Sequence, residues 1–379
     1  MKWPVVKLGD VCRVTPGFAF KSEAFQTEGI PVVKIANIQG DYTVDLSDAQ
    51  CWPQELFSER HQKFVLKDKD ILLAMTGATA GKLGRVRTTQ DLLLNQRVAK
   101  IEATSAEPDF IWFALSSEKY RERFYSIAGG AAQPNMSGGQ IEAVEIPLPP
   151  PLAQNRIADV LSAYDDLMEN NRRRMALLEE SARLLYREWF VRLRFPGHEH
   201  IPLTNGVPQG WERVPFECAL VLQRGFDLPE REWQEGEFPI CCSTGIVGYH
   251  NEAKAKGPGV FTGRSGSLGV VNYVESDYWP HNTALWVRDF IKVTPLFALF
   301  LLREMNLDQY NGGASVPTLD RKAVHRVPVL VPPRKFITLF DEQLTPMFEQ
   351  LRNLRQQHQK LRAARDLLLP RLMSGEVAV

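Results

Sequence analysis

The chain has 379 residues, 44% of them hydrophobic, and its 45 basic side chains are balanced by 45 acidic ones. That length supports two domains of roughly 150 residues with separate cores, and formal neutrality is not the balance of a strong stand-alone nucleic-acid binder. Five cysteines without paired spacing (Cys12, Cys51, Cys218, Cys241 and Cys242) fit reduced thiols better than a disulfide framework.

In chain order, residues 1–150 begin with short strand-like runs, 31–35 and 70–74, separated by Gly, Asn and Asp turns. Residues 110–127 read as a helix ended by Gly129-Gly130. A proline-rich junction then leads into a long helix within 151–195. Residues 196–333 repeat the order, with strands at 259–262 and 283–287 and a helix at 295–310 before Gly312-Gly313. Residues 334–379 carry a second long helix, in which Thr345-Pro346 is expected to make a kink or a fresh helix start. The most apolar stretch, 293–302, is too short to span a bilayer. No secretory leader opens the chain, so a soluble cytoplasmic protein is expected.

The chain is written twice. The segment from Gly129-Gly130 to Pro149-Pro150 realigns without a gap on Gly312-Gly313 to Pro332-Pro333, an offset of 183 residues. The same offset runs through both long helices. Ile157, Leu161, Tyr164, Met168, Asn171, Met175, Leu178, Ala182, Leu185 and Trp189 fall on Phe340, Leu344, Met347, Leu351, Leu354, His358, Leu361, Arg365, Leu368 and Leu372. Both series step 4, 3, 4, 3, the 3.5-residue period of a coiled-coil seam. Asn171, His358 and Arg365 are its polar members, and two readings stand for them: fixing register, or partial exposure. Upstream, Trp3, Val6, Leu8, Gly17 and Phe18 match Trp211, Val214, Phe216, Gly225 and Phe226. Farther along, 81–86 lies over 266–271, and Asn95 pairs approximately with Asn282. The segments between these anchors share little, as expected of one framework kept twice with loops that meet different ligands.

Catalytic signatures are missing. There is no Asn-Pro-Pro-aromatic tetrapeptide and no dinucleotide-type glycine turn. The stretch 77–83 is one residue short of a phosphate loop and lacks its Ser or Thr, so a turn between strands is favoured. His198-Glu199-His200 has no further ligands at metal-like spacing, and Cys241-Cys242 reads as a strand with one buried thiol. A non-catalytic chain is expected. Arg172-Arg173-Arg174 reads first as a solvated face, and second as a site near DNA phosphates or an acidic partner.

Residues 149–158, with Pro149-Pro150-Pro151 before Gln154, resemble the proline-to-helix junction of the specificity subunit of type I restriction-modification systems, with Ala153 where that family has Glu. The tail 361–377 is similar to the family's C-terminal end, and 16–22 and 246–253 resemble the openings of its target recognition domains. The resemblance covers essentially the whole chain. It implies an α+β protein with two strand-rich target recognition domains, 1–150 and 196–333, separated by two long antiparallel helices, 151–195 and 334–379. These form a coiled-coil spacer, giving a pseudo-twofold chain. Each domain would read one half of a bipartite double-stranded DNA target. Two methyltransferase subunits would dock on the helices, and a translocase-nuclease subunit would complete the full complex. Cofactors would belong to those partners, S-adenosylmethionine, ATP and Mg, and none to this chain. A coiled-coil scaffold without sequence-specific DNA binding is the alternative.

Direct readout uses Arg or Lys on guanine and Asn or Gln on adenine, supplied by loops. The candidates are Lys21, Ser22, Asn37, Gln96, Arg97, Gln133 and Asn135 in the first domain. In the second they are His250, Asn251, Arg264, Ser265, Asn282, Thr283 and Ser315. The spacer seam is expected at Ile157, Leu161, Met168, Asn171, Met175, Leu178 and Leu185 against Leu344, Leu351, Leu354, His358, Leu361 and Leu368.

Overall fold

The computed structural model describes residues 3–129, 135–313 and 317–377. Packing divides the chain into two units, one ending at Asn171 and resuming at Gln357, the other running from Arg172 to Gln356. Both division points fall inside the long helices.

The first unit begins with β1 (Val5–Lys7), the short α1 (Leu8–Val11) and β2 (Cys12–Pro16). Then come β3 (Ile30–Val33), β4 (Cys51–Trp52), β5 (Val65–Leu66), β6 (Ile71–Ala74), β7 (Leu83–Arg85), β8 (Leu92–Leu94) and β9 (Val98–Ala103). Two four-stranded sheets result, ordered β2-β9-β6-β7 and β4-β3-β8-β5. The run Ile71-Leu72-Leu73-Ala74 is apolar throughout because β6 is covered on both faces. Ile71 and Leu73 enter the core shared with the helices, whereas Leu72 and Ala74 enter the core shared with Val33, Leu92 and Leu94.

The helix expected at 110–127 is two helices, α2 (Pro108–Leu115) and α3 (Glu118–Ala128). The break falls at Ser116-Ser117, whose hydroxyls donate back to the carbonyls of Phe113 and Ala114 at 3.2 and 3.3 Å, a local alternative to continued helix. A short α4 (Gly138–Glu142), capped by Ser137, and β10 (Glu145–Pro147) close the unit, β10 pairing antiparallel with β1.

The proline junction opens α5 (Pro151–Tyr186). Gln154 explains that junction: its side chain is buried, accepts from the Glu107 backbone N–H at 2.9 Å and donates to the Pro149 carbonyl at 2.8 Å. It thereby ties the start of α5 to the start of α2.

The second unit carries a small hairpin of β11 (Leu203–Thr204) and β12 (Val207–Pro208). It then repeats the first, with β13 (Glu212–Pro215), α6 (Phe216–Ala219), β14 (Leu220–Arg224), β15 (Phe238–Cys242), β16 (Gly245–His250), β17 (Gly259–Gly263), β18 (Val271–Val274), β19 (Trp279–Pro280) and β20 (Ala284–Phe290). Its main sheet, β14-β20-β17-β18, has the order of β2-β9-β6-β7. Thr294 caps α7 (Pro295–Glu304), which stops before Asn306; there the backbone turns left-handed (φ 49°) and a 3-10 turn takes over to Tyr310. The helix expected at 295–310 is thus also interrupted. After α8 (Arg321–Arg326) and β21 (Pro328–Val331), α9 runs without interruption from Arg334 to Ser374.

The fresh helix start that was one of the two expectations at Pro346 does not occur. Pro346 lacks an N–H, but it is exposed, so water reaches the carbonyl it leaves unbonded, and the Thr345 hydroxyl donates to the Asp341 carbonyl at 2.8 Å.

Within each unit the two long helices run antiparallel. In the first, Ile157, Ala158 and Leu161 share a core with Leu369, Leu372 and Met373, and Asp165 meets Arg365 at 2.8 Å. In the second, Ala182 and Tyr186 share a core with Phe340 and Leu344, and Glu179 meets Arg355 at 2.8 Å. Of the seam positions, Ile157, Leu161, Met168, Asn171, Leu344, Leu351 and Leu354 are buried. Met175, Leu178, Leu185, His358, Leu361 and Leu368 are half-buried.

The seam changes phase at the end of α5. Tyr186 and Phe190, rather than Leu185 and Trp189, are the buried residues, because the last turn (Arg187–Val191) widens to a π-helix and packs on Phe297 and Phe340.

Candidate nucleic-acid interface

Gly17 and Gly225 anchor the equivalent crossings in the two units. A Cβ on Gly17 would stand 2.2 Å from the Asn95 carbonyl oxygen, and one on Gly225 would stand 2.2 Å from that of His281. Phe18 bridges in parallel to Asn95, and Phe226 to His281. Asn95 therefore corresponds to His281, one residue from the Asn282 suggested by likeness. The ladders also correct the pairing of 81–86 with 266–271. Leu72 faces Gly84 where Phe261 faces Asn272, so Gly81 corresponds to Gly269, three residues farther on, and both have left-handed backbone (φ 85° and 78°).

In the first unit, Arg97 and Asn135 come together on one short segment. Met75 N–H donates to the Arg97 carbonyl at 3.0 Å, and Thr76 bridges to Asn135. Gln96, exposed beside Arg97, donates its backbone N–H to the Phe18 carbonyl, while Lys21 and Ser22 sit exposed at the start of a 3-10 turn farther along that segment. Asn37 stands apart. Its side chain accepts from the Lys34 N–H at 2.8 Å and donates to the Asp45 carbonyl at 2.9 Å, so both ends of the amide serve the turn. Gln133 lies outside the described residues.

Behind this surface, His61 is buried among Phe18, Phe20, Phe57 and Trp52. Burial, with Arg60 alongside, holds its pKa below the ordinary histidine value.

The second unit brings four candidates together. Arg264 and Ser265 donate their N–H groups to the Thr283 carbonyl at 2.8 and 3.4 Å, and the Arg264 Nε donates to the Asn282 carbonyl at 2.8 Å. The Asn282 amide in turn donates to Asp227. His250 is elsewhere and buried, edge-on to Trp279 at 5.2 Å, its Nδ1 accepting from the Gln234 N–H; neighbouring Asn251 donates to the Gln234 side chain at 2.8 Å. Ser315 lies outside the described residues.

Arg264 lines an open groove of about 450 Å³ together with Arg224, Arg321, Lys322, Thr318 and Asp320. Arg224, Arg321 and Lys322 were not among the residues singled out by sequence. Their only signal is that Arg321-Lys322 follow the helix-capping Asp320 directly, and Arg224 precedes the glycine of the crossing. Next to them, His325 Nε2 accepts from the Leu222 N–H at 3.1 Å. Burial, then the nearby Arg321, lowers its pKa against the opposing pull of Glu217.

The turn at 77–83 joins β6 to β7, as expected. Among the described residues, no group of three or more His, Cys, Asp or Glu side chains is placed to hold a metal, and no helix is long and apolar enough to cross a membrane.

Residues 1–180 match the model of the type I restriction modification DNA specificity domain. The chain is 26% identical over 299 residues to the type I restriction enzyme MjaIX specificity subunit of Methanocaldococcus jannaschii, covering 72% of this chain and 69% of that one. It is 29% identical over 175 residues to the EcoAI specificity subunit of Escherichia coli, covering 44% and 28%. The crystal structure of the S subunit of a type I restriction-modification system from M. genitalium superposes with a TM-score of 0.63 at 18% identity, over 98% of this chain and 96% of that one.

Proposed function

We propose that the chain is the DNA-reading specificity subunit of a type I restriction-modification complex, each unit taking one half of a bipartite target, a reading supported by its match to that specificity domain and its likeness to such subunits. The observation that carries this reading is the duplication: one main-sheet order built twice, with unlike loops on equivalent crossings and a long helix after each copy. Two readers on one chain recognise two unlike half-sites. A symmetric dimer of one reader would recognise two alike.

Lys21, Gln96, Arg97 and Asn135, exposed in the first unit, and the half-buried Ser265 and Thr283 in the second supply the donor types that read base edges. The buried His250 supports its loop instead. The long helices set the gap between half-sites and carry the docking surface for two methyltransferase subunits, with a translocase-nuclease subunit in the full complex. The chain itself is non-catalytic, and the chemistry, with S-adenosylmethionine, ATP and Mg, resides in those partners. Long-read methylation sequencing of cells carrying this chain and its methyltransferase tests the reading.

A further inference from the structure

The two units differ in charge at equivalent positions, and the equivalence rests on backbone hydrogen bonds. Met75 N–H donates to the Arg97 carbonyl as Arg264 N–H does to Thr283, and Met136 N–H donates to the Met75 carbonyl as Leu319 N–H does to Arg264. Arg264 therefore occupies the place of Met75. Gly17 and Gly225 put Arg224 in the place of Pro16, and the caps Ser137 and Asp320 put Arg321 and Lys322 in the places of Gly138 and Gly139.

The packing follows suit. A Cβ added to Gly138 would stand 3.7 Å from the Pro16 ring, whereas Arg321 reaches over β14 to the Leu222 carbonyl at 3.5 Å. Four cations in the second unit thus replace Pro, Met, Gly and Gly in the first. Arg97 stands at the place of Thr283.

Only one of these four cations has a carboxylate partner among the described residues. Arg224 has an exposed partner, Asp227, at 3.6 Å. The Asp320 carboxylate accepts from the Lys322 and Ala323 N–H groups at 2.9 and 3.2 Å, so it serves the helix end. Among the described residues, no carboxylate oxygen lies within 4.0 Å of the charged groups of Arg264, Arg321 or Lys322. This happens in a segment, 196–333, that holds 12 basic residues against 15 acidic ones. A third of its cations gather on one groove of a domain that is otherwise acidic.

We propose that the groove formed by Arg224, Arg264, Arg321 and Lys322 is a phosphate-gripping channel that the first unit lacks, so that the second unit carries most of the salt-dependent affinity for DNA. The inference rests on the DNA-reading function above and says how the affinity is divided. Each phosphate neutralised releases counterions and adds about 0.9 to the slope of log affinity against log salt.

The test uses the full chain and a mixed-sequence duplex several helical turns long, with affinity measured between about 50 and 200 mM salt. Arg321→Gln with Lys322→Gln makes the slope shallower by about 1.8, so that about 12-fold less affinity is lost across that range. Gly139→Lys restores a cation in the first unit at a position with nothing within 4 Å of an added Cβ, and steepens the slope by about 0.9. An unchanged slope in the double variant, with DNA binding intact, overturns the channel and leaves the function standing. A chain that binds no duplex at any salt, alone or with its methyltransferase partner added, overturns both.

Discussion

Gly17→Ala tests the framework at the point where the structure is least forgiving. The added Cβ would stand 2.2 Å from the Asn95 carbonyl oxygen and 2.6 Å from that of Leu94, both backbone atoms. Opening the first contact only to 3.0 Å requires a shift of about 0.8 Å. That shift acts on a crossing held by three backbone bonds of 2.9 Å: Gly17 N–H to Val98, Phe18 N–H to Leu94 and Gln96 N–H to Phe18. Overpacking of this kind costs about 1–3 kcal/mol, and each bond stretched beyond use adds about 0.5–1.5 kcal/mol. The expected loss is about 2–5 kcal/mol, a large part of the stability of an ordinary domain. Gly40→Ala is the control, since nothing lies within 4 Å of its added Cβ. Urea unfolding of the full chain should show a transition moved to lower denaturant for Gly17→Ala and not for Gly40→Ala. Because Gly225 makes the same contact in the second unit, Gly17→Ala should erode recognition of one half-site and Gly225→Ala the other. Equal unfolding midpoints for Gly17→Ala and Gly40→Ala would refute the argument.

Removing one heptad from each long helix shortens it by about 10.5 Å; the gap between methylated half-sites should close by about three base pairs with both half-site sequences kept, and an unchanged gap in the methylation pattern counts against the helices as its determinant. His61, buried with its pKa lowered, stays neutral in the folded state at pH values where the unfolded chain takes up a proton. Its contribution is therefore fully present above about pH 6.5 and is lost as pH falls below that value. His61→Gln should flatten the decline in unfolding free energy between about pH 6.5 and 5, and an identical pH profile would show that the histidine is not buried as described.

The repeat and the seam were legible because they rest on strict constraints. A glycine is required wherever two backbones nearly touch, as at Gly17 and Gly225. A heptad of apolar side chains is required wherever two helices meet along their length. Less strict features misled. The likeness of 81–86 to 266–271 is three residues out of step with the ladders, since turn residues of the same type recur within a few positions. The interruptions at Ser116-Ser117 and Asn306 were missed because apolar spacing continues across them, while α9 passes Pro346 unbroken. His250 has the chemistry of a base reader, but its ring fills the space beside Trp279. Of the groove cations, Arg264 was a candidate, whereas Arg224, Arg321 and Lys322 escaped notice because β14 and α8 lie far apart in the chain and a neutral overall charge conceals a local excess.

Long-read methylation sequencing of cells carrying this chain and its methyltransferase partner bears most directly on the claim of two readers on one chain. The expected result is a single interrupted motif with two unlike specified blocks and a fixed gap. One uninterrupted block, two identical blocks, or a methylation pattern unchanged by the chain would contradict it.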